Sequence, residues 1–67
     1  MNIFCNGELI TAEPNASLYD ILAMKALNQK KGIAVALNNT VIKKDEWKTC
    51  TLQENDKILI ISATKGG

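Results

Sequence analysis

Residues 57–61 read Lys-Ile-Leu-Ile-Ile and follow the polar turn Glu54-Asn55-Asp56. The run is short and rich in β-branched side chains, which favours a β-strand over a helix. Successive side chains of a strand point to opposite faces, so this strand is apolar on both. A strand of this kind is either central and covered, or it presents one face to a partner.

The chain opens with a pattern typical of a β-hairpin. Residues Met1–Cys5 alternate as a strand, and Glu8–Ala12 would return beside it. Between them, Asn6-Gly7 suits a type I′ turn because both residues tolerate positive φ. We therefore expect two antiparallel strands at the N-terminus.

One helix is predicted next. Ser17 is a good N-cap, and Asp20 places a negative charge near the positive end of the helix dipole. We expect the helix to span Leu18 to about Gln29, with Gly32 as the residue that ends it.

A second, shorter hairpin and a final turn complete the pattern. Ile33–Leu37 is an apolar run, Asn38-Asn39 can turn, and Thr40–Ile42 can return. Asp45 would cap a single helical turn that reaches Trp47. We assign Trp47 to one end of the core, because its large side chain fills space that a domain of this size has to close.

The order β-β-α-β-β-turn-β predicts a topology. The last strand runs parallel to the first, and the helix packs across one face. This is an α+β chain with the β-grasp (ubiquitin-like) fold: a mixed sheet of four to five strands with one main helix. We expect the domain to cover residues 1–61, and residues 62–67 to be a flexible C-terminal tail ending in Gly-Gly.

Composition excludes several functional classes. The chain has 67 residues, no histidine, and a net charge of +1 in which all eight basic residues are lysines. We therefore expect no nucleic-acid partner, no metal site and no cofactor bound by the chain itself. No apolar run is long enough for a membrane span, and no signal peptide is evident, which predicts a cytoplasmic protein without a membrane partner. Cys5 and Cys50 form no CxxC motif and are expected to be free thiols.

The C-terminal tail ends in two glycines and a free carboxylate, which together suggest a function. Gly66 and Gly67 lack Cβ atoms, so their backbone can pass through a narrow channel. A terminal carboxylate is ionised at neutral pH and acts as a nucleophile only when it is delivered into an enzyme. Extended residues 64–67 reach at most about 14 Å, which suffices to enter a neighbouring active site.

The chain resembles the ThiS family of sulfur carriers over its whole length. The resembling segments are Met1-Asn2-Ile3-Phe4 with Asn6-Gly7, Val35-Ala36-Leu37-Asn38 with Val41, Glu46-Trp47, Leu52 with Asp56-Lys57-Ile58, and Gly66-Gly67. The sequence departs from the family pattern at one triplet and at one single residue. Ile42-Lys43-Lys44 replaces a Val-Pro-Arg type triplet, and Asn55 replaces a glycine, though Asn also adopts left-handed conformations.

The resemblance implies a carrier that enzymes act on, and not an enzyme. A ThiF-type enzyme would use ATP and Mg²⁺ to adenylate the Gly67 carboxylate, while Gly66 lets the tail thread. Sulfur from a cysteine desulfurase persulfide would then give a thiocarboxylate on Gly67. A ThiG-type thiazole synthase would take that sulfur for the thiazole ring of thiamin.

Alternation along the strands predicts a docking surface. If Ile3, Cys5, Ile58 and Ile60 face the helix, then Phe4, Leu59 and Ile61 share the other face. We expect these three residues, with Lys65 in the tail, to contact a partner.

Three other functions remain open at this point. A MoaD-type carrier for molybdopterin would use the same tail chemistry. A ubiquitin-like modifier would be joined to lysines through Gly67. An interaction module would have an inert tail.

Overall fold

Five strands form one mixed sheet in the computed structural model, which describes residues 1–62. The strands are β1 (Asn2–Cys5), β2 (Glu8–Thr11), β3 (Ile33–Leu37), β4 (Thr40–Val41) and β5 (Lys57–Ser62). Their order across the sheet is β2-β1-β5-β3-β4. β5 is central; it runs parallel to β1 and antiparallel to β3. The predicted fold class and the parallel pairing of the first and last strands are confirmed.

Left-handed asparagines make the turns. In the β1–β2 turn Asn6 has φ 52° and Gly7 has φ 83°, and in the β3–β4 turn Asn38 and Asn39 have φ 50° and 73°. Positive φ at both central residues is the type I′ signature, which the sequence predicts for Asn6-Gly7; for Asn38-Asn39 the sequence predicts a turn without its type. Asn55 also has positive φ, at 70°, so it serves where the family pattern has glycine.

The core lies between one face of the sheet and the helix α1 (Leu18–Met24). Its buried residues are Ile3, Cys5, Ala12, Ala16, Leu18, Ile21, Leu22, Val35, Trp47, Leu52 and Ile58. Trp47 belongs to a 3₁₀ helix (Lys44–Thr49) and donates a 3.0 Å hydrogen bond from Nε1 to the Ile42 carbonyl. This bond satisfies the polar atom of the indole while its ring is buried, as assigned from the sequence.

Helix α1 begins as predicted, with a reciprocal cap. The Asp20 amide donates to Ser17 Oγ at 3.1 Å, and the Ser17 amide donates to Asp20 Oδ2 at 2.9 Å. Two otherwise unpaired N–H groups of the first turn are thereby satisfied.

The predicted end of the helix is wrong. Helix α1 stops at Met24 and not near Gln29. Ala26 has φ 61°, its amide bonds to the Ala23 carbonyl, and the Leu27 amide bonds to the Leu22 carbonyl at 2.7 Å. This is the Schellman pattern, which closes a helix. The apolar stripe also ends at Leu22, so a longer helix would have no further core face to bury.

Replacing Ala26 by glycine should stabilise the protein by about 1 kcal/mol, because a side chain in the left-handed region is strained. Ala23→Gly is the control: it lies inside α1, where glycine costs about 1 kcal/mol. Urea unfolding of the two variants measures both changes. Equal destabilisation by the two glycines would contradict this account of the helix end.

Smaller differences concern element lengths. β5 extends to Ser62, one residue past the predicted strand, and β1, β2 and β4 are each one residue shorter. The 3₁₀ helix is longer than the expected single turn, and Asp45 lies within its first turn while Lys43 occupies the N-cap. Within residues 1–62 no helix has the length and apolarity needed to cross a membrane.

Candidate functional site

The face of the sheet opposite α1 carries an apolar surface. Leu59 and Ile61 are 49% and 55% exposed, and Phe4 is half-buried on the same face. Ile3, Cys5 and Ile58 are buried on the helix side, with Ile60 packed against them. The predicted division of the side chains between the two faces is therefore confirmed, while their contact with a partner stays a prediction.

Strand register adds residues that the sequence reasoning missed. Leu9 pairs with Phe4, Ala34 with Ile61, and Ala36 with both Leu59 and Val41. Directly paired residues point to the same face, so the apolar surface crosses all five strands. We call it the sheet patch: Phe4, Leu9, Ala34, Ala36, Val41, Leu59 and Ile61. These added residues could have been found by pairing the two predicted hairpins with β5 and following which residues share its outer face.

The sheet patch ends beside the root of the tail. Ser62, the last residue of β5, pairs with Ile33 at the start of β3. The predicted tail residues Lys65, Gly66 and Gly67 lie outside the described residues. Five residues separate Ser62 from the chain end, a maximum span of about 17 Å.

Asn6 continues the sheet where β1 stops. The Ile60 amide donates to Asn6 Oδ1 at 2.7 Å, and Asn6 Nδ2 donates to the Ile60 carbonyl at 3.3 Å. The side-chain amide thus makes the two hydrogen bonds that a strand residue would make. It fixes β5 between the two exposed apolar residues of its outer face, Leu59 and Ile61.

Asn6→Asp should lower the free energy of unfolding by about 1 kcal/mol, because a carboxylate keeps the acceptor but loses the donor. Asp-Gly also favours a type I′ turn, so the turn itself is retained. Asn39→Asp is the control: Asn39 also has positive φ, and within residues 1–62 its side chain makes no hydrogen bond. Urea unfolding should show little change for the control. Similar losses in both variants would assign the effect to the turn and not to Ile60.

The two cysteines are not activated nucleophiles. Burial raises the pKa of the Cys5 thiol, which lies in the core. Burial also raises the pKa of the half-buried Cys50 thiol, and the charges of Asp56 and Glu46 raise it further. Both thiols are therefore protonated at neutral pH and react slowly. Among the described residues, no group of three or more His, Cys, Asp or Glu side chains is placed to hold a metal.

Comparison with known proteins agrees with the fold. Among curated proteins no significant match is found. The crystal structure of the thiamine biosynthesis protein ThiS from Geobacter metallireducens is 22% identical, with both chains covered fully and a TM-score of 0.83. An NMR solution structure of a thiamine biosynthesis protein from Geobacter metallireducens is also 22% identical, covering 100% of this chain and 88% of that one, with a TM-score of 0.78. At this identity the structures establish a shared fold. The ThiS family model matches residues 3–67, nearly the whole sequence, and the chain therefore belongs to the ThiS family.

Proposed function

We propose that this chain carries sulfur as a thiocarboxylate on Gly67 and delivers it to a ThiG-type thiazole synthase. Membership of the ThiS family supports a role as a sulfur carrier of thiamin biosynthesis, and not as an enzyme. The observation that carries the proposal is the extent of the family match, which runs through Gly66 to Gly67. This match supports a reactive group at the end of the chain and not in a pocket of the body.

The chemistry begins with activation of the carboxylate. On a ThiF-type enzyme, the Gly67 carboxylate attacks the α-phosphorus of ATP, pyrophosphate leaves, and an acyl adenylate forms. Mg²⁺ on that enzyme neutralises the phosphate charge. The carboxylate, a poor electrophile, becomes a mixed anhydride with AMP as its leaving group.

Sulfur enters in the second stage. The terminal sulfur of a persulfide, formed by a cysteine desulfurase, attacks the activated carbonyl and displaces AMP. A thiol then cleaves the S–S bond of the acyl disulfide, leaving a thiocarboxylate on Gly67 and a disulfide on the donor side. These two stages need ATP and a pool of thiols, both of which the cytoplasm supplies.

The body supplies recognition. The sheet patch is an apolar surface that the strand pairings assemble, and it leads directly to Ser62. Docking through this patch would hold the tail root near the partner's active site. The reaction of a tethered carboxylate is then effectively intramolecular, and its entropic cost is met by the docking contacts.

Intact-mass spectrometry tests the proposal. The purified chain is incubated with ATP, Mg²⁺, a ThiF-type enzyme, a cysteine desulfurase and cysteine. We expect a gain equal to replacing one oxygen by sulfur, located on Gly67 by fragmentation. No gain, where a known carrier is converted in parallel, would refute the carrier function.

The same reaction mixture separates the alternatives. Addition of a ThiG-type synthase and its substrates should return the chain to its original mass as sulfur is consumed. Consumption by molybdopterin synthase instead would identify a MoaD-type carrier. A ladder of larger covalent products in cell extract would identify a modifier.

A further inference from the structure

A second surface feature lies in the layer of the helices, on the side of the sheet away from the sheet patch. A pocket of about 790 Å³ opens between the segment that follows α1 and the 3₁₀ helix. Lys31, Lys44 and Lys48 line it together with the aromatic residues Tyr19 and Trp47. We call it the lysine pocket.

Defined contacts hold its walls in place. Lys48 Nζ lies 4.9 Å from the centroid of the Tyr19 ring, within the range of a cation–π interaction. Asn28 Nδ2 donates to Tyr19 Oη at 2.9 Å, which ties the segment after α1 to the helix. Trp47 is buried and fixed by its bond to the Ile42 carbonyl. These contacts hold the side chains of Tyr19, Asn28, Trp47 and Lys48 at defined positions around the pocket.

The charge of the pocket is unbalanced. Asp45 also lines it, so three lysines and one aspartate give +3 − 1 = +2. The whole chain carries +1, which leaves −1 for all other residues. Within residues 1–62 the one ion pair joins Lys25 to Glu8, away from this pocket. Among the described carboxylates, none lies within salt-bridge distance of the pocket lysines.

We propose that the lysine pocket binds an acidic peptide segment of a protein partner. The positive charge is divided between two chain segments, one bearing Lys31 and the other Lys44 and Lys48, and carboxylates spaced along an extended peptide match this distribution. The half-buried Tyr19 ring offers an apolar wall for the aliphatic part of a glutamate side chain. Lysine ammonium groups act as hydrated point charges, which suits several separate carboxylates.

The location permits two partners at once. Tyr19 belongs to α1, which packs on the face of the sheet opposite the sheet patch. A protein docked on the patch therefore leaves the lysine pocket open to a second protein. The inference does not rest on the proposed function, because the residues that line the pocket belong to neither the tail nor the sheet patch.

An NMR titration tests the inference. Acetylated hexaglutamate amide is added to the ¹⁵N-labelled protein at low ionic strength. We expect shifts concentrated in the amides of residues 28–31 and 44–48, and we expect binding to weaken as salt is raised.

The chain offers a matched pair of variants for this titration. Lys31→Gln with Lys44→Gln should weaken binding about fivefold, in line with the loss of two exposed charge contacts. Lys30→Gln with Lys43→Gln removes the same charge from the adjacent exposed residues, which do not line the pocket. It should change the affinity less than twofold.

Three outcomes would overturn the inference. Equal weakening by both double variants would show attraction to net charge alone. Shifts centred on the sheet patch would place the peptide elsewhere. Tighter binding of inorganic pyrophosphate at the same amides would identify a phosphate site instead of a peptide site.

Discussion

Deleting Gly67 should reduce formation of the thiocarboxylate at least about 100-fold, without affecting the stability of the domain. The deletion moves the terminal carboxylate back by about 3.5 Å along an extended chain. A misplacement of about 1 Å at a reacting group already costs about 100-fold in rate. Gly67 follows the end of β5 at Ser62 by five residues, so we expect the deletion to leave the unfolding transition of the domain unchanged.

A variant with a tail of unchanged length separates the effect of tail length from the effect of its passage through a narrow channel. Gly66→Ala keeps the carboxylate at the same distance but adds a Cβ to the backbone that we propose enters the partner's channel. We expect a smaller loss than for the deletion, seen as a slower gain of sulfur by intact mass. Conversion of the des-Gly67 chain at the parent rate would show that the end group is inert, and would favour the interaction module.

Local rules account for most of the fold. Asn6-Gly7 and Asn38-Asn39 turn because these residues tolerate positive φ, and Ser17 caps because its hydroxyl meets a free amide. Each depends on neighbours in sequence, so sequence reasoning suffices. The helix end does not follow such a rule. Ala26 adopts a conformation that is usually left to glycine, and the buried stripe of the helix ends at Leu22.

Some residues of the candidate site can also be predicted from local patterns, whereas others depend on contacts between distant parts of the chain. Alternation within β1 and β5 was enough to place Phe4, Leu59 and Ile61 on one face. Leu9 and Val41 required knowledge of how β2 and β4 pair with their neighbours, which depends on contacts distant in sequence. The bidentate contact of Asn6 with Ile60 joins residues 54 positions apart, and no pattern in the sequence indicates it.

Replacing Leu59 and Ile61 together by aspartate should lower the kcat/KM of adenylation by tenfold or more. Each side chain is about half exposed, and completing its burial against a partner contributes about 1 kcal/mol, to which the cost of burying a charge is added. Tenfold corresponds to about 1.4 kcal/mol. The measurement is pyrophosphate release at limiting carrier concentration with a ThiF-type enzyme.

Met24→Asp provides the matched control for Ile61→Asp. Met24 is 57% exposed and Ile61 is 55% exposed, so each change removes a similar apolar surface and adds the same charge. Met24 lies on α1, outside the sheet patch. Ile61→Asp should slow adenylation while Met24→Asp leaves it near the parent rate, with urea unfolding used to confirm that both variants are folded. Equal rates for the two variants would show that the sheet patch is not the docking surface.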